Sequence, residues 1–375
     1  KAGVDPRKVV EAIKGGAAQC WSLDVKPPRL FDGNRNPGFK AHMQLKDMKI
    51  VMDTAEEYDV PISGTIANTA LFQQMIEMGM GELDNSAVVG VIIEGGTFNI
   101  NAADDAINSN GTIVINNGAF NIATGDDGIH ANTSIEINGG EFQITRSYEG
   151  IESAIITLNG GTYHVVASDD GINIAGGVDS SGMAPGGRPG RQDTFTSTGN
   201  NTLYINGGYI FVDALGDGID INGAVEMTDG TLIVIGPTAN NNGALDYDRG
   251  FVMKGGWLVA AGSSGMAQAP GTSSTINSVL VNMTSTLKAG TIFHIQNSKG
   301  EDILTFAPTR QFQSVVLASP QLVKGTSYDI YTGGSASGTM VDGLYQQAAY
   351  SGGTKLSSFT VSSAVRACSI SCNSA

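Results

Sequence analysis

A repeat of about 22 residues runs through the middle of the chain and limits the folds that the chain can adopt. Seven segments align, each with a glycine turn followed by alternating apolar residues. Their second glycines are Gly96, Gly118, Gly140, Gly161, Gly208, Gly230 and Gly256. The long gap after Gly161 holds one repeat and an insertion at about residues 176–200, which we expect to be a mobile loop. Self-similarity at such a period is typical of solenoid proteins.

Apolar residues form aligned columns within the repeat. One column is Phe98, Phe120, Phe142, Tyr163, Ile210, Leu232 and Leu258, and another is Ile107, Ile129, Ile151, Ile172, Ile219 and Leu245. Within each short stretch the apolar residues alternate with period two, which is the period of a β-strand, and β-branched residues dominate. We therefore predict a mainly β protein, a right-handed parallel β-helix with three short strands per coil. The glycines should supply positive φ angles at the corners.

The segments on either side of the repeat have different patterns. Residues 1–90 carry apolar residues at helical spacing, as in Val9, Val10 and Ile13, which predicts a small α-helical segment. The β-helix should span residues 91–262, followed by a linker-like stretch rich in glycine and serine. Residues 276–365 alternate again and predict an antiparallel β domain, which should close the open end of the solenoid.

Acidic residues line one edge of the predicted coils, in a repeated Asp-Asp-Gly-Ile signature. Carboxylates stacked at the rung spacing of about 4.8 Å repel one another unless protons, solvent or a cation relieve them. A set of carboxylate and amide oxygens favours Ca²⁺ over zinc or copper. The alternative is that the signature is only a favourable tight turn. The candidate calcium ligands are Asp104, Asp105, Asp126, Asp127, Glu149, Glu152, Asp169, Asp170, Asn173, Asp217, Asp220 and Asp246.

Charge and hydropathy exclude two classes of partner. The formal net charge is −15 and the sequence pI is about 4.6, so the chain lacks the basic surface that nucleic acids require. The sequence has no apolar run long enough to predict a membrane-spanning helix. His130 is the one histidine of the acidic columns and could be a ligand, but we expect it to be a surface residue at an exposed turn.

The first 92 residues resemble part of a known enzyme family. The segments KAGVDPRKVVEAIKGG and PGFKAHMQLKDMKIVMDTAEEYDVPIS are similar to the C-terminal helical domain of β-hydroxyacid dehydrogenases of the tartronate semialdehyde reductase type. The resemblance implies that Lys46 and Asp47 correspond to residues near the cofactor in that family. However, residues 1–88 contain no G-x-G-x-x-G motif after a strand, so we expect neither a bound nucleotide nor hydride transfer.

Residues 91–365 resemble a second family. The segments GDDGIHANTSIEINGGEFQI and GDGIDINGAVEMTDGTLIVIGPT are similar to a secreted bacterial family of calcium-binding, carbohydrate-binding β-helices related to pectate lyases. The resemblance implies a secreted or cell-surface bacterial protein. It also implies binding of a plant cell-wall polysaccharide, either cellulose or a pectic polymer.

Three functions remain open from the sequence. The first is polysaccharide binding, in which exposed aromatic rings stack on sugars. The candidate rings are Tyr148, Tyr204, Tyr209, Tyr247 and Trp257. The second is a pectate or polygalacturonate lyase that uses calcium in a β-elimination, for which Arg146 is the candidate catalytic residue. Arg146 could equally neutralise Glu149 and Glu152. The third is a scaffold or adhesion role.

Overall fold

A computed structural model describes most of the chain. The residues outside the description are 1–5, 18, 32–33, 59, 78–79, 89–90, 110, 175–200, 363–364 and 371–375. The predicted insertion at 176–200 therefore lies outside the described residues. The chain divides into two compact units, Lys1–Gly90 and Val91–Ala375.

The first unit is helical. Its elements are α1 Pro6–Ile13, α2 Trp21–Phe31, α3 Ala41–Glu57, α4 Ser63–Glu77 and a 3₁₀ turn at Asn85–Val88. Helices α3 and α4 contact each other, and Ala41 and Met75 form the buried centre of the unit. The buried carboxylate of Asp84 accepts a hydrogen bond from the backbone N–H of Gly38 and pairs with Lys26 at 2.7 Å. None of the described helices is long and apolar enough to span a membrane.

The second unit begins with seven stacked coils. Each coil adds one parallel strand to each of two sheets, and the first six coils also add a strand to a third sheet. The first sheet contains β1 Val91–Ile93, β4 Thr112–Ile115, β7 Ser134–Ile137, β10 Ile155–Leu158, β13 Thr202–Ile205, β16 Ala224–Met227 and β19 Gly250–Met253. The long sheet contains β2 Thr97–Asn101, β5 Ala119–Ala123, β8 Glu141–Ser147, β11 Thr162–Ala167, β14 Tyr209–Ala214, β17 Thr231–Ile235 and β20 Trp257–Gly262. The edge sheet contains β3 Ile107–Ser109, β6 Ile129–Ala131, β9 Ile151–Ser153, β12 Ile172–Ile174, β15 Ile219–Ile221 and β18 Leu245–Tyr247.

The strand register confirms the apolar columns and the parallel β-helix. Phe98, Phe120, Phe142 and Tyr163 pair in register on successive coils. Their rings stack inside the solenoid with centroids 4.8, 4.6 and 4.9 Å apart. The second glycine of every repeat has a positive φ angle, as the sequence predicted. The interior is therefore a set of ladders in which each side chain rests on the equivalent side chain of the next coil.

Asparagines at the corner between the first and long sheets form a hydrogen-bonded chain, here named the corner ladder. It joins Glu94, Asn116, Asn138, Asn159, Asn206 and Thr228. The amide of Asn138 donates to Asn116 Oδ1 at 2.8 Å, and Asn138 Oδ1 accepts from Asn159 at 2.7 Å. Each amide both donates and accepts, so the ladder ties consecutive coils together at this corner.

Replacing an asparagine within the corner ladder should weaken the β-helix. The substitution Asn138→Ala removes two hydrogen bonds, and we expect it to lower the free energy of unfolding by about 1–2 kcal/mol. Asn101→Ala is the control, because Asn101 is an exposed strand residue outside the ladder, and it should change stability by less than about 0.5 kcal/mol. Urea denaturation followed by circular dichroism measures both. Equal stability of the two variants would show that the ladder does not hold the coils together.

Past the last coil, the chain adds three more strands to the long sheet. Strand β24, Phe312–Ala318, pairs antiparallel with β20, and β21, Ser278–Leu287, pairs antiparallel with β24. Strand β29, Val365–Ile370, pairs parallel with β21. A separate six-stranded antiparallel sheet, here named the cap sheet, has the order β26 Ser335–Val341, β27 Leu344–Ser351, β23 Asp302–Phe306, β22 Phe293–Asn297, β25 Ser327–Thr332 and β28 Thr354–Thr360.

The cap sheet lies over the outer face of the last three coils of the long sheet. There Phe211, Ile233 and Val259 are buried in a second apolar core, which they share with Phe293 and Phe306 of the cap sheet. The predicted antiparallel cap is thus present. Leu280, Val316 and Ala318 of β21 and β24 join the interior core beyond the last coil, while the cap sheet packs along the side of the solenoid.

The segment predicted to be a linker packs against the last coil. Ala267 and Ala269 are partly buried against the interior core, and the N–H of Gly271 donates to the carbonyl of Phe251. Apolar residues within a stretch rich in glycine and serine thus cover the interior residues of the final coil.

Candidate metal-binding edge

The acidic residues predicted as ligands lie at the turns between the long sheet and the edge sheet, here named the acidic edge. Register pairs in the edge sheet place Glu152, Asn173, Asp220 and Asp246 in one row on successive coils. The parallel stacking therefore brings residues that are far apart in the sequence onto one line along the solenoid.

Hydrogen bonds between coils explain part of the acidic signature. Asp105 Oδ1 accepts a hydrogen bond from the N–H of Asp127, and Asp127 Oδ1 accepts one from the N–H of Glu149. Asp170 Oδ1 accepts from the N–H of Asp217 at 2.6 Å. Asp105, Asp127 and Asp170 thus each use one carboxylate oxygen to bind the backbone of the next coil, which leaves the second oxygen of each for another partner.

Three carboxylates from two coils converge at one point of the acidic edge. Asp170, Asp217 and Asp220 each offer an oxygen atom, and these atoms lie within 4.8 Å of one another. Burial and, to a smaller extent, the charge of Asp220 raise the pKa of Asp170 to about 9. Burial also raises the pKa of Asp217 to about 7 and that of Asp220 to about 6. Holding all three carboxylates ionised in this cluster is therefore unfavourable in the absence of a cation.

A buried amide oxygen belongs to Asn173, which pairs in register with Asp220 of this cluster. Asn173 is only 4% exposed, and its Oδ1 atom has no hydrogen-bond partner. Its Nδ2 atom donates to Glu149 Oε2 at 2.7 Å, which orients the side chain. Burial and the charge of Glu152 raise the pKa of Glu149 well above its usual range. An unpartnered buried carbonyl oxygen is costly unless something binds it, and a hard cation is one such partner.

A second group of acids lies nearer the start of the solenoid and is more open to solvent. Oxygen atoms of Asp104, Asp105 and Asp126 also lie within 4.8 Å of one another, with Asp104 exposed. Burial raises the pKa of Asp105, although a hydrogen bond from Asn108 acts in the opposite direction. This group has the same all-oxygen chemistry as the first, with more solvent available to screen its charges.

His130 lies between these two groups and is buried, so the expectation of an exposed turn is wrong. Its Nδ1 atom lies 2.7 Å from Glu152 Oε2 and 3.1 Å from Asp127 Oδ2, and its Nε2 atom lies 2.9 Å from Asn132 Oδ1. Burial acts to lower the pKa of His130, but the hydrogen bonds to Asp127 and Glu152 outweigh it and raise the pKa to about 11. A protonated imidazole can therefore neutralise these carboxylates.

The remaining predicted ligands have side-chain partners. Asp169 accepts a hydrogen bond from the hydroxyl of Tyr148, and Asp246 accepts one from Gln268 at 3.0 Å. Burial raises the pKa of Asp246, and the charge of Asp248 raises it further. The sequence did not predict Asp248 and Gln268 as neighbours of Asp246. Asp248 follows the aligned acidic motif, and Gln268 lies in the segment predicted to be a linker.

Arg146 lies at the end of the exposed face of β8. The pairing between β5 and β8 shifts after Ile122, so that Arg146 pairs with Ala123 and Ser147 pairs with Ala167. The repeat spacing of 22 residues would place Arg146 opposite Thr124, so this bulge moves it by one position. Within the described part of the chain, no ion pair joins the exposed Arg146 to Glu149 or Glu152.

The five aromatic rings predicted to stack on sugars do not share one surface. Tyr209 and Trp257 pack against the second apolar core, and the hydroxyl of Tyr209 donates to Asp342 at 2.7 Å. Tyr247 packs against the interior core, and its hydroxyl donates to the carbonyl of Ala269. Tyr204 is 37% exposed on the first sheet, and half-buried Tyr148 lies at the acidic edge. Tyr148 and Tyr204 thus lie outside both apolar cores.

In the helical unit, Lys46 and Asp47 lie next to each other on α3. Lys46 Nζ is 2.6 Å from Asp47 Oδ1, and both side chains are about half exposed. They therefore form a surface ion pair, which contributes little to stability.

Comparison with known proteins gives different matches for the two units. Residues 1–92 match a family model described as the NAD-binding domain of NADP-dependent 3-hydroxyisobutyrate dehydrogenase. The chain is 34% identical to 2-hydroxy-3-oxopropionate reductase of Escherichia coli over 24% of this chain and 30% of that protein. It is 28% identical to L-threonate dehydrogenase of Cupriavidus necator over 24% of this chain and 30% of that protein. The chain thus spans less than a third of the length of these relatives.

The solenoid has its own match. Residues 84–171 match a family model described as a carbohydrate-binding domain-containing protein. The matched residues contain the first three coils and the first two strands of the fourth coil, and they end just before β12. The matched segment therefore contains the start of the acidic edge and the polar outer face of the first four strands of the long sheet.

Proposed function

We propose that the unit Val91–Ala375 is a calcium-dependent polysaccharide-binding β-helix. The observation that carries the calcium assignment is the convergence of Asp170, Asp217 and Asp220, together with the unpartnered buried oxygen of Asn173. The match of residues 84–171 to a carbohydrate-binding domain supports the polysaccharide assignment.

The donor atoms fit calcium. Asp170, Asp217, Asp220 and Asn173 would hold the ion through carboxylate and amide oxygens, which are the ligands that Ca²⁺ prefers. When bound, the ion neutralises the crowded carboxylates and can accept an oxygen ligand from a sugar acid. Asp104, Asp105 and Asp126 could hold a second ion, because they converge in the same way. The cluster around His130 fits less well, since the imidazolium already supplies a positive charge.

The acidic edge suggests which polymers would bind there. An acidic surface repels a polyanion unless cations lie between them, so uronate-containing pectic polymers should bind at this edge only with calcium. Arg146 is exposed on coil three and could bind a uronate carboxylate directly, because a guanidinium matches a carboxylate with two hydrogen bonds. Plant cell-wall polymers lie outside the bacterial cell, so we propose a secreted or cell-surface location.

A binding assay tests this function. The chain should be retained on polygalacturonate gel with calcium and released by a chelator. Arg146→Ala should reduce that retention by about fivefold or more, which is the loss expected for one charge-assisted hydrogen-bonded pair. Lys299→Ala is the matched control, because Lys299 is a basic residue in an exposed turn far along the chain, and it should bind as the wild type does. Failure of the wild type to bind any polysaccharide would overturn the proposed function.

A pectate lyase is the second candidate, favoured by the exposure of Arg146 beside the acidic edge. A lyase removes the proton α to the uronate carboxylate, and the glycosidic oxygen then leaves as a double bond forms. The guanidinium stays protonated in proteins, so we assign Arg146 to carboxylate binding and not to proton removal. Ultraviolet absorbance of the unsaturated product decides between the two functions, and we expect no increase with calcium and polygalacturonate.

A further inference from the structure

Amide side chains form a second row on the solenoid, on the outer face of the long sheet. Asn99, Asn121, Gln143 and His164 pair in register on the first four coils and point away from the interior. Asn99, Asn121 and Gln143 are exposed, and His164 is partly buried. We name these four residues and the strands that bear them, β2, β5, β8 and β11, the open amide face.

The open amide face ends where the cap sheet begins. In the next three coils the same outward position holds Phe211, Ile233 and Val259, all buried under the cap sheet. At the boundary, Asp342 of the cap sheet hairpin accepts hydrogen bonds from His164 Nε2 at 3.0 Å and from the hydroxyl of Tyr209 at 2.7 Å. The outer face of the long sheet thus changes from an apolar surface that the protein covers to a polar surface that it leaves open.

The open amide face differs from the corner ladder in its unused hydrogen-bonding capacity. Neighbouring amides of the corner ladder bond at 2.7–2.8 Å, whereas Asn121 Nδ2 lies 3.5 Å from Asn99 Oδ1. The amide of Gln143 contacts His164 Nδ1 at 3.1 Å. Each amide has two donor hydrogens and two acceptor sites, so most of these sites face solvent.

The face carries almost no net charge. Its outward residues include one acid, Glu141, and one base, Arg146, which lies at the end of β8 where the acidic edge begins. The other outward residues are Thr97, Asn99, Asn101, Ala119, Asn121, Ala123, Gln143, Thr145, Thr162, His164 and Val166. This composition contrasts with the acidic edge on the same coils, and it suits a ligand with many hydroxyl groups and no charge.

We propose that the open amide face binds an extended, uncharged polysaccharide along the solenoid axis. This inference rests on the proposed function and assigns a separate surface to the neutral polymer. Sugar hydroxyls both donate and accept hydrogen bonds, as amides do, and an amide recurs on each of the first three coils at a spacing of about 4.8 Å. The residues of the face all lie within the segment 84–171 that matches a carbohydrate-binding domain. The cap sheet hairpin at Asp342 marks the end of this binding surface.

Adsorption to insoluble cellulose tests the proposal, with polygalacturonate gel as the charged polymer. The double variant Asn121→Ala and Gln143→Ala should bind cellulose about tenfold or more weakly than the wild type, because two amides that can hydrogen-bond to sugars are lost. It should keep its calcium-dependent retention on polygalacturonate. Gln346→Ala is the matched control, since Gln346 is an exposed strand residue of the cap sheet, and it should bind both polymers as the wild type does. Thermal melting confirms that each variant is folded.

Each outcome has a distinct meaning. Cellulose binding that is equal in the wild type and the double variant would overturn the proposal while leaving the proposed function intact. A wild type that binds polygalacturonate alone would also overturn it. If the folded double variant lost its binding to both polymers, cellulose and polygalacturonate would share one surface, contrary to the two separate surfaces proposed. A wild type that binds neither polymer would overturn the proposed function itself.

Discussion

Adding calcium to the metal-free protein should raise the melting temperature of the β-helix substantially, and a chelator should reverse the effect. At a calcium concentration a thousand times the Kd, one bound ion contributes about 4 kcal/mol. At roughly 2–4 °C per kcal/mol, the melting temperature should rise by roughly 8–16 °C. Magnesium should be less effective, because it requires a smaller octahedral site.

The size of the calcium effect should depend on pH. The folded-state pKa values of Asp170, Asp217 and Asp220 are about 9, 7 and 6, all above the usual aspartate value of 3.8. Their protons therefore stabilise the metal-free fold fully below about pH 4, and this contribution is lost as the pH rises through 6 to 9. Metal-free protein should melt at a lower temperature at pH 8 than at pH 5, and the gain from calcium should be larger at pH 8.

A single substitution separates the calcium site from the fold. Asp170→Asn keeps the oxygen that accepts the N–H of Asp217 and removes the charge. The variant should therefore melt at or above the temperature of metal-free wild type at pH 8, yet gain much less from calcium. Asp229→Asn is the control, because Asp229 is an exposed turn residue away from the acidic edge, and it should respond to calcium as the wild type does. Identical melting with calcium and with chelator in the wild type would contradict the metal assignment.

Gly140→Ala should strongly destabilise the β-helix. Gly140 has a φ angle of +119°, which side chains rarely adopt, and a Cβ atom there would lie 2.8 Å from the carbonyl oxygen of Gly118. Strain and the clash together should lower the free energy of unfolding by about 3 kcal/mol or more. Chemical denaturation of the variant measures the loss.

The preceding glycine provides a matched control for this substitution. A Cβ atom on Gly139 would have its nearest neighbour, the carbonyl oxygen of Asn116, at 3.4 Å, and the φ angle is not positive. Gly139→Ala should therefore change stability by less than about 1 kcal/mol. Similar losses for Gly139→Ala and Gly140→Ala would show that the corner tolerates a side chain at either position, which the packing of adjacent coils argues against.

The coil architecture could be predicted from the sequence because each residue of a solenoid repeats its environment one coil later. Phe120 and Phe142 occupy equivalent positions in sequence and stack directly in space, so the alignment of the repeats is also a contact map. The acidic edge was predictable for the same reason. The bulge in β8 was not, because one extra residue in a strand leaves the apolar pattern on either side unchanged.

The position of the cap sheet was missed although the sequence carries a signal for it. The strands around Phe211, Ile233 and Val259 are continuous apolar runs, whereas those around Asn99, Asn121 and Gln143 alternate. A continuous run indicates a strand buried on both faces. His130 is buried where carboxylates from two coils, those of Asp127 and Glu152, contact its imidazole ring. A single histidine in a turn motif does not predict these contacts, so its burial could not be predicted from the sequence.

Calorimetric titration of metal-free protein with calcium tests the central claim most directly. At pH 8 the wild type should bind at least one calcium ion per chain in a saturable transition. The folded variant carrying Asp170→Asn and Asp217→Asn should bind one ion fewer or bind it much more weakly, while Asp229→Asn should match the wild type. Absence of calcium binding in the wild type, or an unchanged titration in the double variant, would contradict a calcium site at Asp170, Asp217 and Asp220.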